Sequence, residues 1–228
     1  IDLDAAKEFE IPVTNCPGVN QIAVAEHVLA MIFSFFKNIH FSHQITSQGG
    51  WERPLGNELF GKKIGIIGLG AIGKELAKRT LSLGMETYVY DISLDVDFLK
   101  EKELTPLESV QAIFETCDIV SIHVPLIEST RGLITAKLLQ ESAKPGLVLV
   151  NTSRAGLVEE LDILDAIENG KLGGYLTDVL TLEPMTDSCL LKNKPGVLIT
   201  PHIGSRTKES IQRQGTLAVN NLINTVAV

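Results

Sequence analysis

Three residues that lie far apart in the chain have side chains suited to chemistry, namely Arg154, Glu183 and His202. Arginine carries a planar, permanently charged group that pairs with carboxylates, and histidine can take up or release a proton near neutral pH. Each of the three follows the carboxyl end of a predicted strand, and ligands of open α/β sheets bind at that edge. We therefore expect the three side chains to meet in one crevice.

Taken one at a time, each of these residues has a simpler explanation. Arg154 could be a surface charge at the start of a helix, and Glu183 could be a turn residue before Pro184. His202 could be a loop histidine whose ring nitrogens are satisfied by hydrogen bonds. The position that all three share beyond the sheet favours the functional interpretation.

A glycine pattern predicts a nucleotide site in the same sheet. Gly68, Gly70 and Gly73 have the spacing G-x-G-x-x-G and lie between an apolar run and a helical pattern. The first glycine permits a tight turn, the second lets backbone amides approach a pyrophosphate, and the third lets the helix pack closely. Asp91 ends the next predicted strand, where it could bind a ribose. A turn without a ligand could also need glycine, but the glycines together with the acid favour a dinucleotide.

The elements that must position these residues alternate between strand and helix. Apolar, β-branched runs predict strands at 63–69, 86–91, 118–124, 147–152, 174–179 and 197–200. Helical patterns lie at 72–83, 106–115, 135–143 and 158–169, with a last helix at 206–225. Apolar strands that alternate with amphipathic helices are typical of a parallel sheet covered on both faces. The predicted fold class is therefore α/β, with a doubly wound parallel sheet.

Composition narrows the classes of partner and compartment. The 228 residues include 20 Lys and Arg against 28 Asp and Glu, a net charge of -8, which argues against nucleic acid as a partner. Cys16, Cys117 and Cys189 lie far apart without metal-ligand spacing, which indicates reduced thiols and no metal site. The first residues lack the apolar core of a signal peptide. We expect a cytoplasmic protein.

The long apolar segment 19–41 needs a separate interpretation. Gln21, Glu26, His27 and Lys37 interrupt it well short of the roughly 20 apolar residues that a membrane span needs. We predict one long, mostly buried helix and no membrane partner. The helix has more apolar side chains than are ordinarily needed to cover one flank of a sheet, so we expect part of it to contact a second subunit in a homodimer. These apolar side chains are Val24, Val28, Met31, Ile32, Phe35 and Phe36.

Four motifs in order carry a family resemblance: GLGAIG with Asp91, then NTSRAG, DVLTLEP and TPHIGS. Together they make the chain similar to the D-isomer-specific 2-hydroxyacid dehydrogenases over essentially its whole length. The resemblance implies an NAD-dependent oxidoreductase that transfers a hydride between NAD(H) and a small D-2-hydroxy acid or 2-keto acid. The alternative is a dinucleotide-sensing, corepressor-like interaction protein that shares the fold.

The resemblance also implies a role for each site residue. His202 matches the family's general acid/base, Glu183 the carboxylate that orients it, and Arg154 the group that holds the substrate carboxylate. The roles are chemically reasonable, because a carboxylate on the second ring nitrogen fixes the tautomer and stabilises the imidazolium. The cofactor contacts implied in the same way are Gly68, Gly70, Ala71, Ile72, Gly73, Asp91, Val124, Pro125, Thr152, Asp178, which resembles the carboxamide-binding aspartate, and Gly204.

By the same resemblance the chain divides into three parts. Residues 1–18 are expected to be the remnant of a flavodoxin-like substrate domain, and residues 206–228 a helix that returns to it. Residues 19–205 are expected to form the NAD-binding domain, with 19–41 as its interfacial helix. Members of the family carry a further segment before the part seen here, so we expect an N-terminally truncated chain that binds NAD but has little activity alone.

Overall fold

The central sheet has seven strands, all parallel, in the computed structural model, which describes residues 1–226. The strands are β1 Lys63–Ile67, β2 Glu86–Tyr90, β3 Thr105–Pro106, β4 Ile119–Ile122, β5 Leu147–Asn151, β6 Leu172–Thr177 and β7 Val197–Ile199. Their order across the sheet is β3-β2-β1-β4-β5-β6-β7. Successive strands are therefore added outward from β1 to β3 on one side of the sheet and from β4 to β7 on the other, which makes the position between β1 and β4 the switch point of a doubly wound fold. The predicted fold class is confirmed.

Helices cover both faces of this sheet. They are α1 Leu3–Glu8, α2 Gln21–Phe36, α3 Ile39–Ser47, α4 Ala71–Ser82, α5 Val96–Lys102, α6 Val110–Thr116, α7 Ala136–Ser142, α8 Glu160–Glu168 and α9 Lys208–Val226. Strand β5 shows why two layers of helices are needed, because its side chains alternate between two apolar clusters. Val148 and Val150 pack with α2 and α4, whereas Leu147 and Leu149 pack with α6, α7 and α8.

The segment predicted as one helix over 19–41 is two helices, so that prediction is wrong. α2 ends at Phe36, and α3 begins at Ile39 after a bend of 62°. Asn38 lies at the break with a left-handed φ of 52°, a conformation that asparagine tolerates better than most residues, and its side chain donates to the Leu55 carbonyl at 3.0 Å. Within residues 1–226 no single helix is long and apolar enough to cross a membrane.

The apolar face of α2 packs inside its own chain. Val28 and Ile32 are fully buried and Met31 is 2% exposed, in the cluster that also holds Leu76 of α4. The prediction that this face exceeds what the sheet requires is therefore wrong. The reason is that α2 and α4 share this face of the sheet: α4 contacts β1 and β2, whereas Phe35 of α2 packs against Gly174 of β6.

Two elements near the sheet edge differ from the sequence-based expectation. The helix predicted at 106–115 begins only at Val110, because Pro106 pairs in the short strand β3 and Ser109 caps the helix by accepting from the Ala112 amide at 3.0 Å. Helix α5 was not predicted at all. The sequence feature that could have predicted this helix is the capping residue Asp95, whose side chain accepts from the Phe98 amide at the helix start.

Candidate active site

The carboxyl edge of the sheet carries a row of polar residues. Strands β4, β5, β6 and β7 end in register, because Ile122 pairs with Asn151, Asn151 with Thr177, and Thr177 with Ile199. The residue that follows each strand is polar, and in strand order these residues are His123, Thr152, Asp178 and Thr200. Parallel strands thus align four hydrogen-bonding side chains beside the switch point, where such folds bind ligands.

The glycine loop lies at this edge between β1 and α4. A Cβ on Gly68, whose φ is 99°, would lie 2.7 Å from the backbone of His123, and one on Gly73 would lie 2.1 Å from the Gly68 carbonyl oxygen. These two positions therefore require glycine because neighbouring backbone is too close. A Cβ on Gly70 would meet nothing within 4 Å. The space above Gly70 stays open directly before the amino end of α4, as an anion site requires.

Several other predicted cofactor residues surround this loop. Ala71 and Ile72 form the first turn of α4, and the side chain of Val124 lies 3.0 Å from a Cβ placed on Gly68. Asp91 follows β2 and accepts from the amides of Leu69 at 2.6 Å and Ser93 at 2.9 Å. Each of its carboxylate oxygens accepts one backbone hydrogen bond and keeps capacity for a second, such as one from a ribose hydroxyl.

A cleft of about 350 Å³ opens in front of the polar row. It is lined by seven of the residues predicted from sequence, which are Ile72, Pro125, Thr152, Arg154, Asp178, His202 and Gly204. Asn20, Val24, Leu126, Ser153 and Ser205 complete the lining. The structure therefore brings the predicted arginine and histidine to one cavity, next to the glycine loop.

His202 is paired with Glu183. Its Nδ1 lies 2.7 Å from Glu183 Oε2, and the other carboxylate oxygen accepts from the Leu180 amide at 2.9 Å. Partial burial alone would raise the pKa of Glu183, but the hydrogen bonds from His202 and Leu180 outweigh that effect and hold the pKa below its usual value. Glu183 is therefore an ionised acceptor at neutral pH, and the pairing leaves His202 Nε2 as the nitrogen that can exchange a proton with a ligand.

Arg154 projects from a loop that is fixed by its neighbours. Asn151 donates to the Arg154 carbonyl at 3.0 Å, and the Ser153 hydroxyl donates to the Ile122 carbonyl at 2.8 Å. The guanidinium itself is exposed and donates to the Ser153 carbonyl at 2.7 Å. A guanidinium has five N–H donors, so enough remain for a two-pronged contact with a carboxylate in the cleft.

Asp178 is only 2% exposed and is surrounded by donors. The Thr200 hydroxyl donates to it at 2.5 Å, and the amides of Ile203 and Gly204 donate at 2.9 and 2.7 Å. Burial alone would raise the pKa of Asp178, but hydrogen bonds from His27, Thr200 and the two amides lower it. Asp178 therefore anchors the loop that carries His202. The sequence analysis did not predict this structural role.

Thr152 provides a test of whether these residues fit a dinucleotide. Its hydroxyl oxygen is buried and has no hydrogen-bond partner among the described residues, yet the side chain lines the cleft. A buried hydroxyl without a partner is costly, so a ligand hydroxyl at this position would satisfy it. Together with the open space above Gly70 and the carboxylate of Asp91, this atom fits NAD.

His123, in contrast, is not among the residues that line the described cleft. Its Nε2 lies 2.8 Å from the Ser121 hydroxyl, and burial lowers its pKa to about 4, so the ring is neutral at physiological pH. His123 Nδ1 has no protein partner within residues 1–226. Over the same residues, no group of three or more His, Cys, Asp and Glu side chains could hold a metal ion.

Comparison with known proteins agrees with this geometry. Residues 29–204 match the family described as D-isomer specific 2-hydroxyacid dehydrogenase, NAD binding domain. The chain is 36% identical over 212 residues to D-3-phosphoglycerate dehydrogenase of Bacillus subtilis (strain 168), a match that covers 92% of this chain and 40% of that protein. It is 35% identical over 230 residues to (S)-sulfolactate dehydrogenase of Chromohalobacter salexigens, covering 100% of this chain and 74% of the relative.

A solved structure supports the same relationship. The TT0316 protein from Thermus thermophilus superposes with a TM-score of 0.88 at 32% identity, and the match covers 98% of this chain and 71% of that one. The family match covers the glycine loop, the His202–Glu183 pair and nine of the twelve residues that line the cleft, and it identifies NAD as the cofactor of this domain. The chain belongs to the D-isomer-specific 2-hydroxyacid dehydrogenase family.

Proposed function

We propose that the protein is an NAD-dependent dehydrogenase that interconverts a small D-2-hydroxy acid and the corresponding 2-keto acid. The observation that carries the proposal is the His202–Glu183 pair, 2.7 Å apart, with His202 at a cleft that Arg154 also lines. Relatives whose names describe 2-hydroxyacid oxidoreductases are consistent with it. In this arrangement His202 can transfer a proton and Arg154 can bind a carboxylate, both within one site beside the glycine loop.

The chemistry follows from these three side chains. The glycine loop, Asp91 and Thr152 would hold NAD, which would supply the acceptor for the hydride from C2 of the hydroxy acid. His202 Nε2 takes the proton of the C2 hydroxyl in the same step, and returns it to the carbonyl oxygen in the reverse reaction. Glu183, on Nδ1, stabilises the resulting imidazolium. Arg154 binds the substrate carboxylate in a two-pronged contact and so presents C2 at a fixed orientation.

The function is tested on the full-length protein by following NADH consumption with a panel of 2-keto acids: glyoxylate, hydroxypyruvate, pyruvate and 3-phosphohydroxypyruvate. We expect the protein to reduce at least one of them. Binding of NADH without consumption by any of the four would contradict the proposal. That result would favour the alternative, a dinucleotide-sensing interaction protein.

The site is expected to prefer NAD(H) over NADP(H). Asp91 is the proposed partner of the adenosine ribose, Asp95 and Asp97 follow it in the sequence, and Lys74 is paired with Asp95 at 2.5 Å. A 2′-phosphate would meet like charge at a cost on the order of 1–4 kcal/mol, which corresponds to binding weaker by about fivefold to several hundredfold.

Titration of the chain with NADH and NADPH checks this expectation. Asp91→Ala should narrow the ratio of the two dissociation constants. Glu168→Ala is the matched control, because it removes the same charge from an exposed position on α8 and should leave the ratio unchanged. Equal or tighter binding of NADPH by the parent chain would refute the prediction.

We also propose that the protein is a homodimer, but through a different surface from the face of α2. Ile39 and Phe41 of α3 are 55% and 42% exposed, and Trp51 and Leu55 in the following segment are 84% and 95% exposed. Phe41 and Leu55 help to line a cavity of about 1390 Å³ at the amino edge of the sheet. Such an apolar surface is typical of a subunit interface.

Sedimentation velocity at micromolar concentration tests this proposal. We expect a dimer for the parent protein and a monomer for the double variant Trp51→Ser, Leu55→Ser. Leu161→Ser removes a similarly exposed apolar side chain, 67% exposed, from α8 and should leave the dimer intact. A monomeric parent would contradict the homodimer.

We infer, finally, that the protein works in the cytoplasm on a small acid, with neither nucleic acid nor membrane as a partner. Three free cysteines, of which Cys117 is buried, fit a reducing compartment. The net charge of -8 disfavours contact with a phosphate backbone.

A further inference from the structure

We propose that His27 is a positioning residue that holds the His202 loop in place through Thr200 and Asp178. His27 belongs to α2, and 173 residues separate it from Thr200. The kinetic part of the proposal rests on the proposed function, whereas its structural part does not. His202 remains the group that exchanges the proton.

The contacts form a short chain of hydrogen bonds. His27 Nε2 lies 2.9 Å from the Thr200 hydroxyl oxygen and 3.4 Å from Asp178 Oδ1. The Thr200 hydroxyl in turn lies 2.5 Å from the same Asp178 oxygen. The His27 side chain is 16% exposed and that of Asp178 is 2% exposed, so water competes weakly for these bonds.

The direction of each bond follows from the donor inventory. An ionised carboxylate can only accept, so the Thr200 hydroxyl must give its single proton to Asp178. The Thr200 oxygen can then act only as an acceptor toward His27. It follows that His27 carries a proton on Nε2 and donates it to the Thr200 oxygen.

Asp178 passes this restraint to the loop that carries His202. Its two oxygens accept from the amides of Ile203 and Gly204, the two residues that follow His202. A Cβ on Gly204 would lie 2.9 Å from Asp178 Oδ2 and 3.4 Å from the His27 ring, so the loop packs directly against both side chains.

The backbone of His202 shows why the loop needs such restraint. Its φ is 54°, in the left-handed region that only a few per cent of non-glycine residues adopt, although asparagine, aspartate and histidine adopt it more readily than the others. A conformation of this kind persists only where surrounding contacts impose it. Loss of the His27 donor would leave the Thr200 oxygen without a donor and weaken the hydrogen bonds from the two amides to Asp178. His202 could then leave its position beside Glu183.

The test compares His27→Phe with His27→Gln. Phenylalanine keeps an aromatic ring without a donor, whereas glutamine can place an amide N–H close to the position of Nε2. The first readout is hydrogen exchange of the Ile203 and Gly204 amides by NMR, with the Val150 amide of β5 as a reference for global opening. We expect exchange at both loop amides to be about tenfold faster in His27→Phe and close to the parent rate in His27→Gln, with Val150 unchanged.

Turnover is the second readout. If the loop positions His202, His27→Phe should lower kcat about tenfold, leave the Kd for NADH within about twofold, and be rescued by His27→Gln. Thr200→Val removes the linking hydroxyl without changing the side-chain volume much, and should accelerate exchange at the same two amides. It serves as the deciding variant should His27→Phe fail to fold.

Unchanged exchange at Ile203 and Gly204 in both His27→Phe and Thr200→Val would overturn the proposal. Equal acceleration in His27→Phe and His27→Gln would overturn it as well, because the ring and not its N–H would then matter. A parent protein that turns over no 2-keto acid would refute the proposed function alone, since the exchange measurement still decides the role of His27.

Discussion

Replacement of His202 by alanine is expected to lower kcat by about a thousandfold, within the roughly 10²–10⁴ range that general acid–base catalysis contributes. The imidazole is the group at the cleft placed to exchange a proton with the substrate, because Glu183 occupies its Nδ1 at 2.7 Å. Affinity for NADH should remain near the parent value, since the glycine loop and Asp91 are unaffected. Steady-state kinetics and a fluorescence titration with NADH measure the two quantities separately.

Glu183→Gln provides the companion variant. Glutamine keeps an acceptor for Nδ1 but loses the charge that stabilises the imidazolium, so we expect a smaller loss of kcat, on the order of ten- to a hundredfold. A His202→Ala protein that retains kcat within about tenfold of the parent would contradict the assignment of the proton carrier.

Replacement of Arg154 by glutamine is expected to raise KM for the 2-keto acid by about a hundredfold, or roughly 2.7 kcal/mol, the value of one strong charge-assisted contact. Arg154→Lys should raise KM by about tenfold, because lysine keeps the charge but not the planar fork. Some loss of kcat is expected in both, if the guanidinium also polarises the reacting carbonyl. Affinity for NADH should not change.

The control for this pair is Arg79→Lys. Arg79 lies on α4 and pairs with Glu75 at 2.5 Å, outside the cleft, so the same chemical replacement should leave KM unaltered. An Arg154→Gln protein with the KM of the parent would show that the substrate carboxylate binds elsewhere.

Much of the fold could be predicted from the chain because its signals are local. β-Branched runs separated by helical patterns require a parallel sheet, and the glycine spacing requires a close turn; Gly73 demonstrates this, since any Cβ would lie 2.1 Å from a backbone oxygen. That Arg154 and His202 line one cleft also follows from topology, because the carboxyl ends of parallel strands share an edge.

The features that sequence reasoning missed depend on tertiary contacts. An apolar helix face is the same pattern whether it covers its own sheet or a second subunit, so Val28 and Ile32 could not reveal that they pack internally. The break at Asn38 depends on a backbone conformation that asparagine permits but does not require. Two of the four partners of Asp178 are backbone amides, which every sequence supplies, and the other two, Thr200 and His27, are far from it in the sequence.

Transfer of the hydride itself tests the central claim most directly. The protein is incubated with NADH that carries deuterium at both C4 positions and with the best 2-keto acid of the panel, and the product is analysed by NMR. The account predicts deuterium at C2 of a D-2-hydroxy acid. A product without deuterium at C2, or no product although NADH binds, would contradict it.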